Sequence, residues 1–147
     1  QASFFENKLL RFFDIFFNLL FGNYNILHVD VFSGQALLYA LTGTLIARLR
    51  RKKCIVNLHG GKLPYIYPEK KRIVKRILRS SGKIITPSHF LRAFFLEKGF
   101  EVTYLPNYVD SGNFPYKCPD KENYCSVLWV RAFSEEYNPE VAIRAIY

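Results

Sequence analysis

"CIVNLHGGKLP", Cys54 to Pro64, decides how this chain is read. A short apolar run, partly β-branched, breaks off into a histidine, two glycines, a lysine and a proline. A run of that length bounded by turn residues reads as a strand, "CIVNL". The segment after it is helical in period. "EKKRIVKRILRSS" puts Ile73, Val74, Ile77 and Leu78 on one face and the lysines and arginines on the rest. Pro68 fits the first turn of that helix and Gly82 its stop.

Working outward, the same alternation recurs. Upstream, "NILHVDV" (Asn25 to Val31) reads as a strand, and Ser33 and Gly34 cap a helix from Gln35 to Arg50. Earlier still, Phe4 to Phe21 carries apolar residues at helical spacing and stops at Gly22. Downstream come the strand "KIIT", the helix "SHFLRAFFLEKG" between a Ser88 cap and a Gly99 stop, and the strand "EVTYL". Pro106 to Asn123 is a polar, proline-bearing connector. "SVLWV" reads as a last strand, and "NPEVAIRAIY" as a last helix with Pro139 in its first turn.

Strands alternating with helices imply crossover units: an α/β fold with a Rossmann-like parallel sheet and helices on both faces. In such sheets ligands sit beyond the C-terminal ends of the strands. The residues to examine are therefore Asp30 to Gly34, His59 to Pro64, Thr86 to Ser88, Pro106 to Asp110 and Arg131 to Ser134.

Composition bounds the function. The chain has 147 residues, half of them hydrophobic, enough for a compact domain with its own core and too apolar for a disordered tail. Lys+Arg 21 against Asp+Glu 12 gives +9, which favours an anionic partner. Of the three cysteines, Cys54 lies in an apolar run as a core thiol, and none forms a C-x-x-C pair; this usage fits a reducing compartment. No apolar run reaches the roughly 18 residues of a membrane span. The start, "QASFFENKLLRFF", has neither an initiating Met nor a signal-peptide layout, so the chain is expected to be a piece of something longer.

The strand-end motifs narrow the chemistry. In "HGGK", the glycines let the backbone turn sharply and approach a ligand, while His59 can hydrogen-bond or transfer a proton. The bland alternative is a tight turn with a satisfied histidine. Neither G-x-G-x-x-G nor G-x-x-x-x-G-K-[ST] occurs, so dinucleotide oxidoreductases and P-loop enzymes lose support. His28 and Asp30 face the same side of one strand, but two ligands are too few for zinc, and no metal is expected. "RLRRKK" and "EKKRIVKR" read either as solvated helix faces or as a surface for lipid headgroups or nucleic acid. Most phenylalanines fall on apolar helix faces, and no RNA-binding aromatic signature is present. N-capping accounts for Ser88, and "TPSHF" is not a nucleophile elbow.

Five segments in order, "ILHVDVFSG", "IVNLHGG", "KIITPSHFLRAFFLEKG", "EVTYLPNYVDSGNF" and "VLWVRAF", together resemble the retaining GT-B-fold glycosyltransferases. That group includes glycogen-synthase-like and mannosyltransferase enzymes. Its members carry an H-G at one strand end, I-I-x-x-S-x-x-L, V-I-P-N-G-V-D-x-x-x-F, and a V-G-R-L that opens a second domain. The likeness covers most of the chain from Tyr24 onward.

The resemblance implies two Rossmann-like domains facing each other across a cleft, acceptor on the first and nucleotide-sugar donor on the second. Residues 1–117 would be the first domain without its glycine-rich first loop. Residues 118–147 would be the linker and the truncated start of the second. His59 matches the sugar-facing cleft histidine and is the catalytic candidate. Gly60 and Gly61 match the turn after it, Ser88 the serine at a helix start, and Asn107 and Asp110 the P-N-G-V-D turn. Arg131 matches the arginine that binds the donor diphosphate, a pairing suited to a guanidinium. Three positions depart from the pattern: Tyr108 and Val130 stand where glycines are usual, and "EEYNPE" stands where a lysine precedes a glycine.

What the resemblance implies overall is sugar transfer from a nucleotide-sugar to a glycan or lipid-linked acceptor. It implies retention, no cofactor and no metal, a place in polysaccharide or cell-envelope glycan synthesis, and no nucleic acid as partner. The enzyme would be cytoplasmic and peripheral at the inner face of an anionic membrane, with the aromatic first helix as contact; the competing reading makes that helix part of the core. This piece alone is expected not to turn over. The rival readings are a non-catalytic basic module for nucleic acid or anionic membrane, and another GT-B-like enzyme such as a nucleotide-sugar epimerase.

Overall fold

The computed structural model describes residues 7–113, 128–135 and 137–146. They belong to two compact units, one ending at Val109 and the other beginning at Asp110. The boundary expected between residues 117 and 118 lies outside the described residues.

The first unit runs α1 (Lys8–Phe21), β1 (Ile26–Val31), α2 (Ala36–Leu49), β2 (Lys53–Leu58), α3 (Leu63–Ser80), β3 (Lys83–Thr86), α4 (His89–Glu97) and β4 (Thr103–Tyr104). The strands form one parallel sheet in the order β1-β2-β3-β4. This is the Rossmann-like parallel α/β sheet that the alternation predicts, but among the described residues α2, α3 and α4 share one face instead of covering both.

Side chains on a strand point alternately to its two sides. Val31, Cys54, Val56, Leu58 and Ile84 face a single core, where they meet Leu37 and Ala47 of α2, Leu63, Val74 and Ile77 of α3, and Leu91 and Phe95 of α4. Each such aliphatic or aromatic side chain, fully buried, contributes about 1.5–3 kcal/mol. Strand order follows chain order, so successive right-handed crossovers lay α2, α3 and α4 on one side of the sheet. On the other side Ile26, His28 and Asp30 are exposed, and Ile55, Asn57 and Ile85 are half-buried.

Local chemistry sets the helix ends. Asn7 caps α1 by accepting from the backbone N–H groups of Leu9 and Leu10. No α1 residue is buried, so α1 is not a core helix. Phe12 leans on Tyr39 of α2, while Leu9, Phe13, Phe17 and Phe21, spaced by four, form an exposed apolar ridge. Arg50 donates to the carbonyls of Leu19 and Gly22, both at 2.8 Å, and so closes the end of α1. Ser33 does not cap α2. Gln35 holds the cap position without a side-chain bond, and Gly34, at φ +80°, makes the turn.

Helix α3 starts earlier than Pro68 suggests. It begins at Leu63 with Pro64 in its first turn. Pro68 lies inside and lacks the N–H that would bond back to residue 64, and the chain leaves helical geometry at Lys70 before resuming. Ser88 caps α4 as expected, its Oγ accepting from Leu91 N–H at 3.3 Å, and Gly99, at φ +80°, follows its last turn.

Cys54 is buried, and burial pushes its thiol pKa from 9.0 up to about 11. The folded protein holds this proton more tightly than the unfolded chain does. The stability it contributes is therefore complete below pH 9 and lost as the pH rises towards 11. In a Cys118→Ser/Cys125→Ser background, Cys54 should resist a disulfide reagent at pH 8 until urea is added. The alkaline fall in unfolding midpoint should shrink in Cys54→Ala. Rapid labelling of the native protein at pH 8 would contradict this.

In the second unit, Ser111–Asn113 forms a 3-10 turn and Pro139–Arg144 forms α5, a helix start that Pro139 announces. The expected strand "SVLWV" is not found. Its first two residues lie outside the described ones. Leu128 to Val130 are irregular, with Leu128 85% and Val130 77% exposed. Among the described residues of the second unit there is no strand to offer a hydrogen-bonding edge, and a strand needs one.

Candidate functional site

The C-terminal rim of the sheet carries the sequence-predicted residues of the first unit. β1 and β2 pair with Asp30 opposite Asn57 and Val31 opposite Leu58. Extending that register by one residue sets Phe32 opposite His59. Parity then puts His28, Asp30 and Phe32 on the same side as Ile55, Asn57 and His59, the side without helices.

Three groups consequently meet around one imidazole, and His28 joins them through Asp30. The Phe32 ring stacks on His59, with centroids 5.6 Å apart and an interplanar angle of 15°. The Asp30 Oδ1 lies 3.3 Å from His59 Nε2, and His28 Nε2 lies 3.9 Å from the same oxygen. The Asn57 Nδ2 is 2.6 Å from His59 Nε2, and the Asn57 Oδ1 is buried with no partner. Pairing with a carboxylate requires the proton on Nε2. As placed, Asn57 Nδ2 donates to an Nε2 without a proton, so Asp30 and Asn57 favour opposite tautomers; the two partners agree only if the amide turns by half a turn and presents its oxygen. Nδ1 is then the acceptor of the ring. The His59 side chain keeps 24% of its surface exposed and that of Asp30 48%, so a ligand can reach both.

The backbone fixes this geometry. The N–H groups of His59 and Gly60 both donate to the Val31 carbonyl, at 3.1 and 3.3 Å, which carries the sheet one step past Leu58. Gly60 is buried. A Cβ there would lie 3.0 Å from the Ser33 nitrogen and 3.2 Å from the Phe32 Cα. Gly61 differs: a Cβ there would meet nothing within 4 Å. Among the described residues no three His, Cys, Asp or Glu side chains are grouped to hold a metal ion, the His28–Asp30–His59 set included.

Ser88 stands on the same rim, but its hydroxyl is engaged as the α4 cap. Beside it is Thr86, fully buried, which the sequence marks only as part of a strand end and gives no role. Its Oγ1 donates to the Leu58 carbonyl at 2.8 Å and accepts from Ser88 N–H at 3.2 Å, tying the ends of β2 and β3 together. Thr86→Val keeps the shape and orphans both groups. It should cost roughly 1–2 kcal/mol in urea unfolding; an unchanged midpoint would show the tie to be dispensable. His89 and Tyr104 stack 3.9 Å apart farther along the rim.

Asn107 is exposed in the segment after β4. In the second unit, Asp110 accepts from Gly112 N–H and from the Asn113 side chain, a local turn. Arg131 is exposed, with its guanidinium over the Tyr137 ring at 5.1 Å.

Sequence alone sets His28 and Asp30 on one strand face; it is their meeting with His59 that it does not state. "HVD" and "NLH" each place polar residues two apart inside apolar strands, which aligns them on one face. Among the described residues no helix is long and apolar enough to cross a membrane. Comparison of the chain with protein-family models, curated proteins and solved structures finds no match in any of the three.

Proposed function

We propose that this chain is the acceptor-side part of a GT-B-fold glycosyltransferase that moves a sugar from a nucleotide-sugar to a glycan or lipid-linked acceptor with retention. The observation that carries the proposal is the His59 cluster. It sits on a glycine-bearing loop at the C-terminal rim of a Rossmann-like parallel sheet, where such folds take their ligands.

On this reading His59 meets the sugar. Its Nδ1 accepts from a hydroxyl, Asp30 and Asn57 hold the ring, and Phe32 supports it from one side. The open backbone at Gly61 lets the sugar come close. Arg131, in the second unit, carries part of the leaving diphosphate, since neutralising that charge is the main electrostatic task of the reaction. No metal or cofactor is assigned to the site. The exposed α1 ridge, together with the +9 charge, supports a place against an anionic membrane face, with the cytoplasmic side as the location.

The test uses the full-length protein with a panel of labelled nucleotide-sugars and a glycan or lipid-linked acceptor. The expected product carries a new glycosidic bond with the anomeric configuration of the donor. Epimerised donor in the absence of acceptor would favour the epimerase reading. Absence of any turnover, combined with salt-sensitive RNA binding, would favour the binding module.

A further inference from the structure

A second site lies at the opposite end of the sheet. There the first residues of β2 and β3 and the last turns of α2 and α3 line an open cleft of about 550 Å³, within the size range of small-molecule sites. Six cations border it: Arg48, Arg51, Lys52, Lys53, Arg79 and Lys83. Among the described residues no carboxylate lies within ion-pair distance of any of them. A carboxylate, Glu101, lines the adjoining groove, which shares Ser81, Gly82 and Lys83 with the cleft.

Helix ends explain part of this. Arg48 and Arg79 fall in the last turns of α2 and α3, where a cation offsets the macrodipole. Two further features have no such explanation. The first is Arg51. It follows the α2 cap at φ 54°, with its N–H bonded to the Arg48 carbonyl and Lys52 N–H bonded to the Ala47 carbonyl. That is a Schellman ending, whose left-handed position ordinarily takes glycine, and here a charged side chain occupies it at a steric cost. The second is Ser80. It is 8% exposed and lines the cleft, and its hydroxyl oxygen is buried with no hydrogen-bond partner, so that it meets an anion in the cleft by rotating about its Cα–Cβ bond, whereas the neighbouring Ser81 hydroxyl donates to Leu78. An anion would offset the cation repulsion and give the hydroxyl a partner, while the left-handed backbone at Arg51, which no ligand relieves, is the cost of holding a guanidinium at that place.

We propose that this cleft binds a phosphate-bearing anion, with Arg51, Lys53 and Lys83 meeting the phosphates and Ser80 supplying a neutral hydrogen bond. The proposal does not depend on the glycosyltransferase reading, because it concerns the other end of the sheet and is read by binding alone.

The probe is sodium tripolyphosphate, titrated into the chain at low salt by calorimetry. Saturable one-to-one binding is expected. Ser80→Ala keeps every charge and should weaken binding by roughly tenfold, the scale of one hydrogen bond to a charged partner. Arg51→Gly/Lys83→Ser should weaken it further, while the charge-matched Lys71→Ala/Arg72→Ala on the exposed side of α3 should leave it unchanged. Ser80→Ala and Arg51→Gly should both melt higher than the parent without ligand, since one removes an orphaned hydroxyl and the other a strained backbone. A purely structural role would not raise stability while lowering affinity. Vesicles of phosphatidylcholine with phosphatidic acid identify the source. Displacement of tripolyphosphate by them, and not by phosphatidylcholine alone, marks a lipid headgroup; no displacement marks a soluble phosphate compound. Absence of saturable binding, or equal loss in the charge-matched control, would overturn the proposal. So would a short RNA binding with the same loss in both double variants, which would replace the cleft by a diffuse basic surface.

Discussion

If His59 meets a sugar as proposed, His59→Ala in the full-length protein should lower sugar transfer by about 10²-fold or more, the scale of losing one positioned proton-handling group. The fold should survive, because this side chain sits on the open side of the sheet and keeps a quarter of its surface in solvent. Circular dichroism and the melting temperature should stay close to the parent. Asp30→Ala should cost less, about tenfold, since it frees the ring without removing it. Asp30→Asn should recover part of that loss, because a carboxamide oxygen still accepts from Nε2–H. The decisive comparison is the double variant. If Asp30 acts through His59, the double variant is no slower than His59→Ala, a non-additivity characteristic of groups working as a unit. Independent, multiplying losses would separate the two residues. Unchanged activity in His59→Ala would reduce the loop to a turn and remove the main support for sugar transfer.

The sheet was legible because every strand announces itself twice, by an apolar run and by the turn residues that end it. The Ser88 cap and the Gly99 stop were legible for the same local reason. Register was not. That Phe32 lies opposite His59, and that Asp30 reaches its Nε2, follows only from the pairing of Asp30 with Asn57, a long-range fact that no window of sequence contains. Pro68 misled because proline both opens helices and interrupts them, and Pro64, four residues earlier, had already taken the opening position. "SVLWV" misled because an apolar run specifies a strand only where an edge exists to receive it. Arg51 could not be found at all, since arginine in a left-handed helix ending contradicts the residue preference by which such endings are recognised.

The two glycines after His59 look alike in sequence and should behave oppositely. Gly60→Val should destabilise the protein by about 3 kcal/mol, the upper part of the usual range for overfilling a packed site. Even the first carbon of the new side chain would press on the Ser33 nitrogen and the Phe32 Cα, which belong to backbone and cannot swing away, and on Leu63 Cγ at 3.2 Å. Relief requires moving the loop after β1, which carries Phe32, the ring stacked on His59. Loss of stability and displacement of the site should therefore appear together, in urea unfolding and in the amide spectrum of residues 30–33. Gly61→Ala should leave stability within about 0.5 kcal/mol, because nothing lies near the added carbon and its backbone is not left-handed. If sugar passes over this loop as proposed, Gly61→Ala will still raise KM in the full-length enzyme, since the space it fills belongs to the ligand rather than to the protein. Equal tolerance of Gly60→Val and Gly61→Ala would mean that the loop is not held against β1. A silent Gly61→Ala in both stability and KM would place the sugar elsewhere. The first glycine is thus explained by the fold, and the second is the one whose presence depends on what binds.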